Sequence, residues 1–286
     1  RIKRQFRQLG PGPANDSIKP DRKRPLSATM LGRCIYREEN EESHLEIWDQ
    51  GDCRSLWFDD VILQSEIHIH DPAVLPNPVN RAMLAHLMLA LPLRSVMLAG
   101  CGGGAIARWL HTRAPEVRGD AIELSATVAR LAYEYFDFPS TQSNWRLLIE
   151  DVREHLAHSD LAYDFILVDL EENQITPPWV TDIEFLRACH ERLSQQGVLT
   201  LNLILEDDQS AGEALRNVRQ VFGTEVLLLN EPDHDNLLAL AFRQPAPPIP
   251  RAELLARHGR HWGIDFTSMA GRITRLSAPA PAADSA

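Results

Sequence analysis

Between Met30 and His70 apolar and polar residues alternate over short stretches, CIYREE, HLEIWD, SLWFDD and VILQSEIHI, broken by polar or glycine-containing turns such as QGDC. Strand side chains point alternately to opposite faces, so this period of two predicts three or four antiparallel strands. A proline-punctuated crossing, Pro72 to Pro78, leads into VNRAMLAHLMLAL, which has helical spacing. Beyond it, strand and helix patterns take turns: SVMLAG, AIARWLHTR, VRGDAIEL, TVARLAYEYF, WRLLIED, VREHLAH, YDFILVDL, IEFLRACHERL and GVLTLNLI. Such alternation implies βαβ crossovers and a mostly parallel sheet. The pattern closes with a helix, GEALRNVRQVFG, an antiparallel hairpin of EVLLLN and NLLALAFR around EPDHD, and a terminal helix RAELLARHGRHW.

A parallel sheet that ends in a hairpin is the layout of an α/β, Rossmann-like class I methyltransferase-type fold. The expected organisation is therefore a small N-terminal antiparallel β-module over 29–75 and a Rossmann-like nucleoside-binding catalytic domain over 76–265. Residues 1–28 and 266–286 are expected to be largely disordered tails, because both are poor in apolar residues and punctuated by proline, as in SAPAPAADSA. No run approaches the roughly 18 apolar residues of a membrane-spanning helix, so no membrane partner is expected.

Charge narrows the ligand class. The net charge of −11 over 286 residues divides into +6 on residues 1–28 and −17 on the remainder. An acidic body repels a phosphate backbone, which makes nucleic acid an unfavourable main partner and favours cationic or neutral ligands. Cys34, Cys53, Cys101 and Cys189 lie far apart, with no Cys-x-x-Cys and no zinc spacing. A reducing cytoplasm is the expected setting. The chain opens on Arg1 rather than Met, so its first residues say nothing of a segment upstream.

Four features carry chemistry. Gly100-Cys101-Gly102-Gly103-Gly104 lies directly after the strand SVMLA and before a helix, where glycines let a ligand approach the main chain and the helix start offers unpaired N–H groups. A tight turn without a ligand is the plainer alternative. Glu123 ends the next strand about 20 residues on, where an acidic side chain can accept both hydroxyls of a ribose. A capping carboxylate is the alternative there. Asp151 follows WRLLIE, placed to accept from an exocyclic amino group, with the Val152 N–H beside it for a ring nitrogen; a simple N-cap is the alternative. Asp169 lies in YDFILVDLEEN, at the end of its strand, and with Glu171 and Glu172 forms an acidic cluster that, facing a ligand, would attract an amine and take its proton; a solvated loop is the alternative.

In this order the motifs resemble the spermidine synthase family, the polyamine aminopropyltransferases, over about residues 33–245. The stretch SLWFDDVILQSEI resembles the family's L-x-L-D-G-x-x-Q-x-T-E, with Gln64 at its Gln. The resemblance implies that Gly100, Gly102, Gly103 and Gly104 cradle an S-adenosyl nucleoside, that Glu123 holds ribose, and that Asp151 and Val152 hold adenine. It further implies Asp169 as catalytic acid/base with Glu172 in support, Gln64 and Glu171 on the substrate, and a homodimer with the β-module near its interface.

Departures are as informative. The family's GGGDGG loop has its Asp at the position of Gly103, which removes an anion and is expected to create space. A charge pair about 4 Å apart differs by a few kcal/mol at an effective dielectric near 20, enough to change co-substrate choice. The family's Tyr-His-Glu falls near Val79-Asn80-Arg81-Ala82, where none of the three is kept and Arg81 is expected to repel a polyamine. A Gln that contacts the nucleoside falls near Ser43-His44.

Three functions follow in order. The first is a transferase that moves an aminopropyl or related group from decarboxylated S-adenosylmethionine, or from the intact form, to a small-molecule amine acceptor without a metal. The second is an S-adenosylmethionine-dependent methyltransferase, and the third a non-catalytic nucleoside-binding scaffold. His68 and His70 on one strand are read as surface rather than metal ligands, and His155 and His158 as solvated neighbours on a helix.

Overall fold

Four short amphipathic stretches cannot bury much surface one by one, and they do so as a sheet laid against a larger body. The computed structural model describes residues 32–39, 44–59 and 62–277; the basic stretch 1–28, Ser43 and residues 278–286 lie outside the described residues. The strands β1 (Arg33–Glu39), β2 (His44–Gln50), β3 (Cys53–Phe58) and β4 (Ile62–His68) pair antiparallel in sequence order. Gly51, at φ 58°, opens the two-residue turn between β2 and β3 in the left-handed conformation that such hairpins favour. Leu45, Ile47, Leu56 and Ile67 form the module's buried face and join the core on one side of the large sheet.

The helical pattern after the prolines becomes two pieces. In α1 (Pro78–Met83) the Asn77 side chain caps the start by accepting from the Val79 N–H, and the chain then tightens into a 3-10 turn over Ala85–Leu89. All residues from 82 to 89 are buried, so this segment is apolar all round rather than along one stripe. His86 shares that burial, its ring 3.5 Å from that of Phe165, and desolvation pushes its pKa down to about 3. It is neutral at physiological pH.

The large sheet contains β5 (Ser95–Ala99), β6 (Arg118–Glu123), β7 (Trp145–Ile149), β8 (Tyr163–Val168), β9 (Leu193–Leu203), β10 (Val226–Asn230), β11 (Leu237–Phe242) and β12 (Thr274–Leu276). Their order is β12-β10-β11-β9-β8-β5-β6-β7. Pairings from β7 across to β9 are parallel, and those that involve β11, β10 and β12 are antiparallel. The crossovers run through α2 (Ala105–Arg113), α3 (Ala126–Tyr135), α4 (Val152–His158), α5 (Ile183–Arg192) and α6 (Asp208–Phe222), followed after β11 by α7 (Ala252–Trp262) and α8 (Phe266–Ala270). Alternate strand residues feed two cores: Val96, Leu98 and Leu167 on one face, Met97, Ile166 and Val168 on the other. Strand order reverses between β5 and β8, which opens a crevice at their carboxyl ends.

One expectation is corrected. Residues 266–286 were expected to be mostly disordered, yet Phe266 and Met269 of α8 are buried and β12 pairs with β10, Leu276 opposite Val226. Apolar residues spaced through FTSMAGRITRL supply enough burial to order the segment, whereas proline is concentrated after it. Among the described residues no helix is long and apolar enough to cross a membrane.

Candidate active site

The glycine loop is the hinge of the site. Gly100, Gly102 and Gly104 have φ of 84°, 50° and 77°, the left-handed region in which side chains are rarely tolerated. Packing gives a second reason. A Cβ on Gly100 would stand 2.1 Å from the Asp169 carbonyl oxygen, one on Gly102 3.1 Å from the Gln64 carbonyl oxygen, and one on Gly104 2.4 Å from the Phe138 ring. The loop is therefore wedged between β4 and the end of β8, against the main chain of Gln64 on one side and of Asp169 on the other.

Gly103 corrects an expectation. Its Cβ would lie 2.8 Å from Ser65 Oγ and 2.9 Å from the Phe136 ring, and both residues are buried. No space is created there. What the glycine changes is charge, since the loop carries no anion at this position.

Glu123 ends β6 and ties the loop to it. Its Oε2 accepts from the N–H groups of Cys101 and Gly102 at 3.2 and 3.3 Å, and its Oε1 from Ser125 at 2.9 Å. A carboxylate has about four lone-pair sites, so these three bonds leave about one, on Oε1, for a hydroxyl donor. Leu124 and Ile149, at the ends of neighbouring strands, are 73% and 57% exposed. Two large apolar side chains bared beside an acid fit the face of a planar base. Asp151 is the N-cap of α4, where its side chain accepts from the Arg153 N–H at 2.8 Å. The Arg153 guanidinium also grips the carboxylate and holds its pKa below the usual range, while lying 4.5 Å above the Trp179 ring. Val152 opens α4 with one of the N–H groups that a helix leaves unpaired.

The acidic side of the crevice is built differently. The Asp169 N–H donates to the Ala99 carbonyl at 2.8 Å, and its Oδ1 accepts from Asn202 Nδ2 at 2.7 Å. Its side chain keeps an exposed surface; desolvation by the protein around it pushes its pKa up, and the Asn202 bond pulls it back. Burial also raises Glu171, helped by the charge of Asp169. Glu172 is exposed and exchanges backbone hydrogen bonds with Ile175 around Asn173 and Gln174, both left-handed at φ 53° and 66°. Two such residues in succession make a tight turn that costs about 1–2 kcal/mol each outside glycine. Thr176 anchors the turn, its N–H donating to the Ile204 carbonyl at 2.8 Å and its Oγ1 accepting from the Ile204 N–H at 2.8 Å.

The other candidates divide. Arg81 donates to the carbonyls of Leu75 and Pro76, and its charge acts on Glu66, so it is engaged locally rather than free to repel a cation. His68 Nδ1 accepts from the Asp71 N–H and His70 lies 4.0 Å from Asp52. His155 is buried rather than solvated: Glu150 meets its Nδ1 at 2.8 Å and Tyr163 its Nε2 at 3.0 Å, because that face of α4 packs on the sheet. Sequence reasoning missed Asn202, Ser65, Phe136, Leu124 and Ile149. The last two were detectable, as residues adjoining the strand-end acids; the others are brought in by tertiary packing.

No profile of a known protein family matches the chain. By sequence the chain is 27% identical over 229 residues to the polyamine aminopropyltransferase of Neisseria meningitidis, across 78% of this chain and 86% of that protein. A shorter similarity, 28% over 160 residues, covers 52% of this chain and 22% of the eEF1A lysine and N-terminal methyltransferase of Mus musculus. In fold it is similar to a probable spermidine synthase from Corynebacterium glutamicum, with a TM-score of 0.70 at 20% identity, across 85% of this chain and 90% of that one.

Proposed function

We propose that the chain, which is similar to polyamine aminopropyltransferases over about four fifths of its length, is a divergent transferase of the spermidine synthase type and that it transfers an aminopropyl group from decarboxylated S-adenosylmethionine to a small amine. The observation that carries this reading is Asp169, a carboxylate held at the crevice by Asn202 and packed, through its own carbonyl, against Gly100. One residue thus joins the acidic loop to the nucleoside loop.

The sulfonium supplies a good leaving group, so the chain's residues need to position the reactants and manage one proton. The backbone of Gly100, Gly102 and Gly104 and the Glu123 carboxylate receive the nucleoside, with Leu124 and Ile149 against the base and Asp151 and Val152 at its polar edge. Glu171 and Glu172 draw a cationic amine, and Gln64 approaches from β4. The neutral amine forms a C–N bond as the C–S bond breaks, methylthioadenosine leaves, and Asp169 takes the amine proton. Burial favours this role, since a carboxyl with a raised pKa is the stronger base once ionised. A homodimer and a cytoplasmic location belong to the same proposal; the four cysteines as free thiols support a reducing setting.

A second reading is methyl transfer from intact S-adenosylmethionine. It is favoured by the glycine loop, which lacks an anion because Ser65 and Phe136 occupy the side of Gly103. Calorimetry with S-adenosylmethionine, its decarboxylated form and methylthioadenosine separates the readings. The acidic loop should repel the carboxylate of the intact ligand, so the decarboxylated form is expected to bind about tenfold tighter, or about 1.4 kcal/mol. Equal or weaker binding of that form would favour methyl transfer, and binding of none of the three a scaffold.

A further inference from the structure

The bond from Asn202 to Asp169 is one half of a longer arrangement. Asn202 lies on β9, 6% exposed, and its amide is engaged at both ends. Its Nδ2 donates to Asp169 Oδ1 at 2.7 Å, and its Oδ1 accepts from Asn236 Nδ2 at 2.9 Å. Asn236 sits in the turn that precedes β11, and the β9–β11 register, with Leu238 opposite Asn202, brings it alongside. Segments 33 and 34 residues apart are joined in a single line.

The chemistry of the partners fixes the direction of that line. An ionised carboxylate only accepts, so Asn202 must turn its NH2 to Asp169 and its carbonyl away. Asn236 meets that carbonyl with an NH2. Reversing the Asn202 amide would break both bonds and set oxygen against oxygen on one side and NH2 against NH2 on the other. Asn236 therefore locks the polarity of a group that it reaches across a neighbouring strand.

We infer that Asn202 and Asn236 are positioning residues for Asp169: they hold Oδ1 in place and leave Oδ2 as the oxygen that receives the acceptor's proton. The inference rests on Asp169 being the base. Around Asp169, its own loop contributes the charge of Glu171, β5 and the glycine loop contribute backbone from Ala99 and Gly100, and β9 contributes the neutral Asn202 donor. Burial and Glu171 act against the ionised form, and the amide line acts for it.

The test uses the full chain and the nearly isosteric Asn236→Asp. A carboxylate at 236 accepts where the amide donated, so Asn202 must turn its NH2 toward it and present its carbonyl to Asp169. The Asp169 titration, followed by 13C NMR of labelled aspartate and assigned with Asp169→Asn, is expected to move up by about one pH unit. The acid limb of kcat/KM, measured with decarboxylated S-adenosylmethionine and 1,4-diaminobutane, should move with it, while methylthioadenosine affinity stays within twofold. In an Asn202→Leu background the shift should vanish; a shift of equal size there would mean a long-range charge effect and overturn the relay. Asn236→Leu, which adds no charge, should move the titration in the same direction by less. An unmoved titration in both position-236 variants would also overturn it. If the titration moves and the rate profile does not, the relay stands and Asp169 is not the base.

Discussion

The two halves of the crevice are made of different material. In the half proposed for the nucleoside, at the ends of β5, β6 and β7, the framework is mostly main chain: three glycines at positive φ, N–H groups of residues 101, 102 and 125 gathered on Glu123, and the start of α4, with Leu124 and Ile149 bared beside them. In the half proposed for the acceptor, side chains of the β8 loop and β9 form it, and Asp169 is held by Asn202, which is held in turn by Asn236. A backbone site changes only when the fold changes. A side-chain site is open to replacement residue by residue, and the Tyr-His-Glu whose place is taken by Val79-Asn80-Arg81-Ala82 is such a departure.

The largest expected effect breaks the backbone half. Gly100→Ala would place a methyl against the Asp169 carbonyl at a residue with φ 84°, so denaturant unfolding should show a loss of about 3 kcal/mol or more, combining overpacking with left-handed strain. Next is Gly103→Ala, whose clash is with side chains rather than backbone. It should cost about 2 kcal/mol, and Phe136→Leu should make the double variant less than additive, because the smaller side chain yields the space. Full additivity would mean that Phe136 does not confine the loop.

A smaller effect belongs to Asp151. Loss of the cap in Asp151→Ala should cost about 1 kcal/mol at neutral pH. Arg153 holds the Asp151 carboxyl below its usual range, so its stabilisation is present above the unfolded carboxyl pKa and fades as pH falls through the lowered folded value. The difference between variant and parent should therefore shrink in acid; an unchanged difference would assign the loss to something other than the ionised carboxylate.

The same contrast explains what could be read from the chain. Strand and helix periods placed nearly every element of the large sheet, and Gly100 to Gly104, Glu123, Asp151 and Asp169 follow from their positions at strand ends, because such sites are local in sequence. Asn202 was only a residue in the strand GVLTLN, and Asn236 only part of a turn; nothing local marks two amides that meet through the antiparallel pairing of β9 and β11. Ser65 and Phe136 were likewise invisible, since the fit of Gly103 depends on a strand and a helix end far apart in the chain. The helix α8 and strand β12 were missed for another reason: tertiary burial of Phe266 and Met269 outweighs a composition that reads as a tail. His155 shows the limit of a helical position read without its packing face.

The central claim is that Asp169 takes the proton of an attacking amine, and turnover of Asp169→Asn with decarboxylated S-adenosylmethionine and 1,4-diaminobutane tests it most directly. Asn keeps the shape while removing the base, so kcat should fall by about a hundredfold or more, with methylthioadenosine affinity within a few-fold of the parent. Turnover at the parent rate would contradict the claim.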